Sequence, residues 1–236
     1  MQLLVTEAFW VLFPEARIGV VTAHGLDNTT GVETAAALLA DEASRRAATL
    51  TGVDMAAHSA VAPWRAAYAR FGVKPSQYRS SIESLLRSAQ AGRVRSISPL
   101  VDLYNAVSLR HALPCGGEDL AAIVGEVRLT RAVGGEPFRT IGTAEDDPAR
   151  AGEVIYRDEA GAICRCWNWR EADRTKLTAH TRDAVLVVEA LPEHPAALLD
   201  AALADLAALV TQHLGGRTRT AVLTAEGPAC SLEAQP

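Results

Sequence analysis

The sequence predicts an α+β fold, a helix-rich first half followed by an antiparallel β-sheet or sandwich. Three observations lead there. Apolar residues recur at helical spacing in four stretches before residue 112. Short alternating runs take over after Gly117, and Gly, Asp and Pro punctuate them at close intervals. Helices first and strands later point to segregated elements rather than to a doubly wound sheet.

In chain order, "RIGVVTAHGL" (17–26) is a short apolar run ending in turn residues, as a buried strand does. "DNTTGVETAAALLADEASRRAATLTG" follows as a helix, with Thr30 or Asp27 to cap it, Leu38, Leu39, Ala43, Ala47 and Leu50 on its inner face, and Gly52 to stop it. A short helix after Pro63 breaks at Gly72 and Pro75, and the next buries Ile82, Leu85, Leu86 and Ala89. Pro99 opens another, with Leu100, Leu103, Tyr104 and Val107 at helical spacing. "GLDNTTG" and "PCGGED" read as plain Gly-containing loops. The expected strands are "GEVRLTRA", "EPFRTIG", "EVIYRD", "AICRCWNW" and "AVLVVEAL", with "EDDPARAG" (145–152) a loop and "DEAG" a hairpin connection. From Pro195 a last helix repeats Leu199, Leu203, Leu206, Val210 and Leu214 on one face and ends at Gly215-Gly216; an edge strand "RTAVLTA" closes the chain. No repeat is visible, and residues 1–236 are expected to form one domain.

The chain of 236 residues is 49% hydrophobic and 22% charged, enough for a sizeable core. No run approaches the roughly 18 apolar residues of a membrane helix, and the N-terminus lacks a basic region ahead of its apolar residues, so a cytoplasmic protein without membrane contact is expected. Cys115, Cys164, Cys166 and Cys230 do not read as a disulfide framework and are expected as free thiols. A net charge of −5 argues against a general nucleic-acid coat, but residues 70–95 hold six basic residues against one acid, Glu83. That excess is either a solvated helix face or a local phosphate contact.

Phosphate-loop, nucleophile-elbow and His-Glu-x-x-His patterns are missing from the sequence, and six scattered histidines give no preorganised metal set. No metal or cofactor is expected. Cys115 beside His111 offers a nucleophile, set against a merely buried thiol. The most unusual stretch is "CRCWNWREADRTKLT" (164–178), which holds two of the four tryptophans beside several charges. Read as a strand over 162–169, it turns Cys164, Cys166 and Asn168 to one side and Arg165, Trp167 and Trp169 to the other. Its tryptophans either pack against a helix or wall a site for a ligand that is part flat and part anionic.

"ISPLVDLYNAVSLRHALPCGGEDLAAIVGEVRLTRAVGGEPFRTI" resembles the tRNA-editing domain of bacterial phenylalanyl-tRNA synthetase beta subunits, with Val101, Asp102, Asn105, Val107, Pro114 and Asp119 in register. "AGEVIYRDEAGAICRC" and "DRTKLTAHTRDAVLVVEAL" are similar to that family's paired strands and to its Ser-x-Val-Thr-x-x-Thr segment, through Thr178, Thr181 and Glu189. The likeness spans about 65 to 192, and "APWRAAYARFGVKPSQYRSSIESLLR" resembles free-standing members. The resemblance implies hydrolysis of wrongly charged aminoacyl-tRNA, acting in trans.

Residue by residue, the resemblance implies that Asn105 orients the ester or its water and that Glu189 meets the polar end of the amino acid. Tyr104 becomes a pocket wall, and Asp102 a brace for its own helix. Two features depart from the family. Gly116 stands where a His is usual, and "RCWNWREAD" replaces a Gly-rich turn lining the amino-acid pocket. The added bulk makes Trp167, Asn168 and Trp169 the expected specificity element and suits a small substrate. Lys74, Arg79, Arg170, Arg174 and Lys176 are the candidates for holding the tRNA acceptor end or a carboxyl group. Asp173 is the nearest acidic residue for a general base. Partners on this reading are an aminoacyl-tRNA or, alternatively, a free amino acid. Competing readings are a non-catalytic amino-acid or tRNA-binding module of the same fold, and an unrelated small-molecule enzyme using Cys115 or the tryptophans.

Overall fold

The computed structural model describes residues 1–234. Its elements run β1 (Gln2–Val5), α1 (Glu7–Trp10), β2 (Arg17–His24), α2 (Val32–Leu50), α3 (Ala62–Arg70), α4 (Ser81–Gln90), α5 (Pro99–His111), β3 (Cys115–Asp119), β4 (Val127–Arg131), β5 (Val154–Asp158), β6 (Gly161–Arg165), β7 (Arg170–Glu171), β8 (Asp183–Ala190), α6 (Ala196–Leu214), β9 (Arg217–Leu223) and β10 (Ala229–Ser231). The α+β class predicted from the order of patterns is the class observed.

The strands form two sheets. One has the order β10-β1-β4-β5-β6-β7, the other β3-β8-β2-β9. All pairings are antiparallel except β1 with β4, which run parallel. In β8 the period-two rule divides the residues cleanly. Ala184, Leu186, Val188 and Ala190 join the core shared with α5 and α6, whereas Val185, Val187 and Glu189 turn the other way, into a cavity.

Several expectations need correction. "PCGGED" is a strand, β3, paired along its length with β8, rather than a loop. Its glycines are there because neighbours lie against bare backbone: a Cβ on Gly116 would sit 2.8 Å from Glu171 Oε1, and one on Gly117 2.4 Å from Leu186 Cδ2. "EPFRTIG" is not a strand; only Thr140 makes an isolated bridge, to Ala172. α2 is preceded by Gly31 in the left-handed region with no side-chain cap, so neither Thr30 nor Asp27 caps it. The loop around Asn28 is more than a spacer, since Asn28 Oδ1 accepts from the Leu100 N–H and Nδ2 donates to the Thr178 carbonyl, both at 2.8 Å. β1, α1 and β10 carried too short a pattern to be read in advance.

α6 also corrects the statement about apolar runs. At 19 residues and a mean hydropathy of 1.3 it is long and apolar enough to cross a membrane. Leu199, Ala202, Leu203, Leu206, Val210 and Leu214 line one of its faces and are buried in the core against the β2/β8 sheet, which accounts for that composition.

Candidate functional site

Between the two sheets lies a cavity of about 200 Å³. That is below the roughly 300–1,000 Å³ of typical small-molecule pockets and suits a moiety of amino-acid size. β3 and β8 supply one wall, β5, β6 and β7 the opposite one, and α5 contributes Tyr104 and Asn105. Of the residues singled out from the sequence, Tyr104, Asn105, Gly116, Trp167, Asn168, Trp169, Arg170 and Glu189 all line it.

The "CRCWNW" strand ends early. β6 stops at Arg165, and Cys166 and Trp167 both adopt left-handed backbone, φ 47° and 68°. Non-glycine residues enter that region at a cost of about 1–2 kcal/mol each. Local bonds hold them there: Glu153 Oε1 accepts the Cys166 N–H at 2.8 Å, while the fully buried Arg165 pairs with both oxygens of Glu153 at 2.9 and 2.8 Å. The reversal breaks the expected alternation, so Trp167 and Asn168 face the same group instead of opposite sides.

That group is Glu189, which is 1% exposed. Its carboxylate accepts from Tyr156 Oη, Trp167 Nε1 and Asn168 Nδ2, each at 2.6 Å. Tyr68 Oη in turn donates to Asn168 Oδ1 at 2.9 Å. Burial pushes the Glu189 carboxyl up to about 7, against the three donors that favour its ionised form. Trp167 itself is fully buried among Phe9, Phe13 and Trp64, with ring centroids 4.7–4.9 Å away. Packing and site wall, posed as alternatives for this tryptophan, are therefore combined. The polar groups of Trp167 and Asn168 brace Glu189.

Trp169 is half-buried and differs from its neighbour. It stands edge-on to Tyr78 at 4.7 Å, with the Arg170 guanidinium 5.0 Å over its ring, and Arg150 lies over Tyr78 at 5.4 Å. This aromatic and basic rim is exposed on Arg150 and Arg170.

Five other candidates, Arg174, Asp173, Lys176, Lys74 and Arg79, lie away from the cavity lining. Arg174 holds the fully buried Asp158 through two bonds of 2.9 and 2.8 Å and also donates to the Ala122 carbonyl. Asp173 pairs with Lys176 at 2.6 Å beside a separate shallow groove, so both are occupied with each other. Lys74 is exposed, and Arg79 sits 3.9 Å from Glu83. Asp102 braces its helix by accepting the Ile97 N–H. All four cysteines are free, and burial pushes the Cys115 and Cys164 thiols far up, away from the thiolate a nucleophile requires.

Sequence reasoning missed Glu118 on β3 and Glu171 on β7, which line the same cavity. Glu171 accepts the Gly117 N–H at 3.1 Å, and burial pushes its carboxyl up to about 7. Glu118 is pushed well above the usual carboxylate range by burial and then by the nearby Glu171. The one signal available was the glycine pair beside an acidic residue: Glu171 lies against the bare backbone of Gly116, and Leu186 against that of Gly117.

Residues 63–214 match the family described as B3/4 domain. Among solved structures, the chain is similar to an N-terminal fragment of the phenylalanyl-tRNA synthetase beta subunit from Pyrococcus horikoshii, at 12% identity and a TM-score of 0.44, over 92% of this chain and 50% of that one. The chain thus spans about half the length of that fragment. No curated protein matches.

Proposed function

The chain belongs to the B3/4 domain family, and from that premise we propose that it is a trans-acting hydrolase that removes a wrongly attached amino acid from tRNA. The observation that carries the reading is the inter-sheet cavity, of amino-acid size, with Asn105 in its lining and an aromatic and basic rim beside it. The acyl part enters the cavity, and Trp169 with Tyr78 stacks the terminal base, a contact worth about 1–3 kcal/mol per base. Arg170, Arg150, Arg79 and Lys74 meet the backbone phosphates.

Ester hydrolysis needs no nucleophilic side chain. Water attacks the acyl carbon, the ester bond to the ribose oxygen breaks, and that oxygen takes up the proton the water loses. Positioning the water and the carbonyl supplies the acceleration. Asn105 orients the ester, and Tyr104 shapes the wall. Asp173, paired with Lys176, is no longer assigned a role as base.

Purified protein incubated with a panel of mischarged tRNAs tests this. Turnover of at least one aminoacyl-tRNA is expected, with Asn105→Ala lowering kcat by about 10²-fold at unchanged unfolding midpoint. Binding of tRNA or amino acid without turnover establishes the non-catalytic module instead, and loss of another esterase activity in Cys115→Ala alone establishes the thiol enzyme.

A further inference from the structure

We propose that the Glu118 and Glu171 end of the inter-sheet cavity binds a protonated nitrogen, an ammonium or guanidinium group of the ligand. Identifying that ligand with the acyl part of an aminoacyl ester rests on the function proposed above; the preference for a cation does not.

Glu118 is 7% exposed and lines the cavity; the Thr175 hydroxyl lies close enough to favour its ionised form, yet Oε2 makes no well-formed hydrogen bond and is buried. Glu171 receives one backbone N–H, from Gly117, and lies so close to Gly116 that a Cβ there would be 2.8 Å from its Oε1. Among the described residues no cation forms an ion pair with Glu118 or Glu171. Arg174 is committed to Asp158, Lys176 to Asp173, and Arg170 lies over Trp169. Glu189, the third carboxylate of the cavity, is met by three uncharged donors. Around the pair stand the buried Thr175 hydroxyl and the Arg174 guanidinium, both of which favour the ionised form of Glu118, the Asp158 carboxylate, which opposes it, and the Tyr104 phenol and Cys164 thiol, which burial and these carboxylates push away from ionisation.

Two carboxyls facing a cavity are costly to bury in ionised form when the one cation acting on Glu118, Arg174, is already paired with Asp158. Groups of this kind are retained where a ligand completes them. A nitrogen cation does so directly, donating to Glu118 Oε2 and to the open positions of Glu171, while the rest of an amino-acid-sized moiety fills the cavity. A divalent metal fits less well, because among the described residues no three His, Cys, Asp or Glu side chains converge to hold one.

The nitrogen has two sources in an amino acid, the α-amino group and a basic side chain. Calorimetric titration at neutral pH with three amides that cannot be hydrolysed as esters separates them. Leucinamide carries only the α-ammonium, Nα-acetyl-lysinamide only a side-chain ammonium, and Nα-acetyl-leucinamide neither. One or both of the cationic amides are expected to bind at least about ten-fold more tightly than the neutral one, and Glu118→Gln or Glu171→Gln should each remove most of that preference. Unfolding midpoints confirm that the isosteric variants are folded.

Equal binding of all three amides, no binding of any, an unchanged preference in both variants, or binding of magnesium alone each overturns the proposal. The readout is independent of hydrolysis. A protein that prefers cations but turns over no ester retains this subsite and loses the function proposed above. Turnover of esters without cation preference has the opposite meaning.

Discussion

Glu171 and Glu189 are carboxyl groups that burial holds at about 7, against an ordinary value of 4.5. In the folded chain each binds its proton more tightly than in the unfolded chain, so the stabilisation is complete below about 4.5 and is lost as pH rises through about 7. For each group the change is on the order of 3 kcal/mol. Replacing Glu171 by Gln removes one such group while its amide oxygen still accepts the Gly117 N–H. The fall in urea midpoint between pH 5 and pH 8 should therefore be smaller in Glu171→Gln than in the parent, by about 3 kcal/mol once converted to free energy. An identical fall in both proteins would mean that Glu171 is ionised across the whole range. The glutamates differ in surroundings. Glu189 has three protein donors and holds the site together, whereas Glu118 and Glu171 keep acceptor positions free for a ligand.

At the scale of elements, the turn between β6 and β7 decides the shape of the cavity. Its left-handed residues Cys166 and Trp167 carry Trp167 Nε1 and Asn168 Nδ2 onto Glu189, which belongs to the other sheet. The turn is thus a clamp between sheets. Trp167→Phe keeps most of the ring packing on Phe9, Phe13 and Trp64 but deletes one donor to a buried carboxylate. The expected cost is about 1–3 kcal/mol, measured by urea unfolding, from an acceptor left short and a small void. A neutral result would show that water replaces the indole N–H without loss. The same turn explains why periodicity misled: "AICRCWNW" alternates well enough for a strand throughout, and nothing in that pattern marks where two non-glycine residues will adopt positive φ.

Across the whole molecule, charge is committed differently from what its position in the sequence implies. Arg174 stands in a basic run and was expected to attract phosphate, but its guanidinium closes over Asp158, whose other bonds go to the Val124, Ala160 and Gly161 N–H groups. Arg174→Ala should lower stability by about 1–3 kcal/mol and leave tRNA affinity at low salt unchanged; filter binding that instead shows a loss of affinity without a loss of stability would restore the phosphate role. The chain by itself determined the α+β class, the four helices from α2 to α5 and the buried stripe of α6, because these rest on local periodicity and on Gly and Pro stops that act within a few residues. It also carried Asn105, Tyr104 and Glu189 into one candidate site, through the family likeness of their flanking motifs. Tertiary structure alone decided that "CGGED" is a strand, that Trp167 braces while Trp169 stands at the rim, and that Glu118 and Glu171 meet across the cavity from facing strands. Those outcomes depend on which sheet lies opposite and on which carboxylates find donors, contacts made between residues tens of positions apart that leave no periodic trace in the chain.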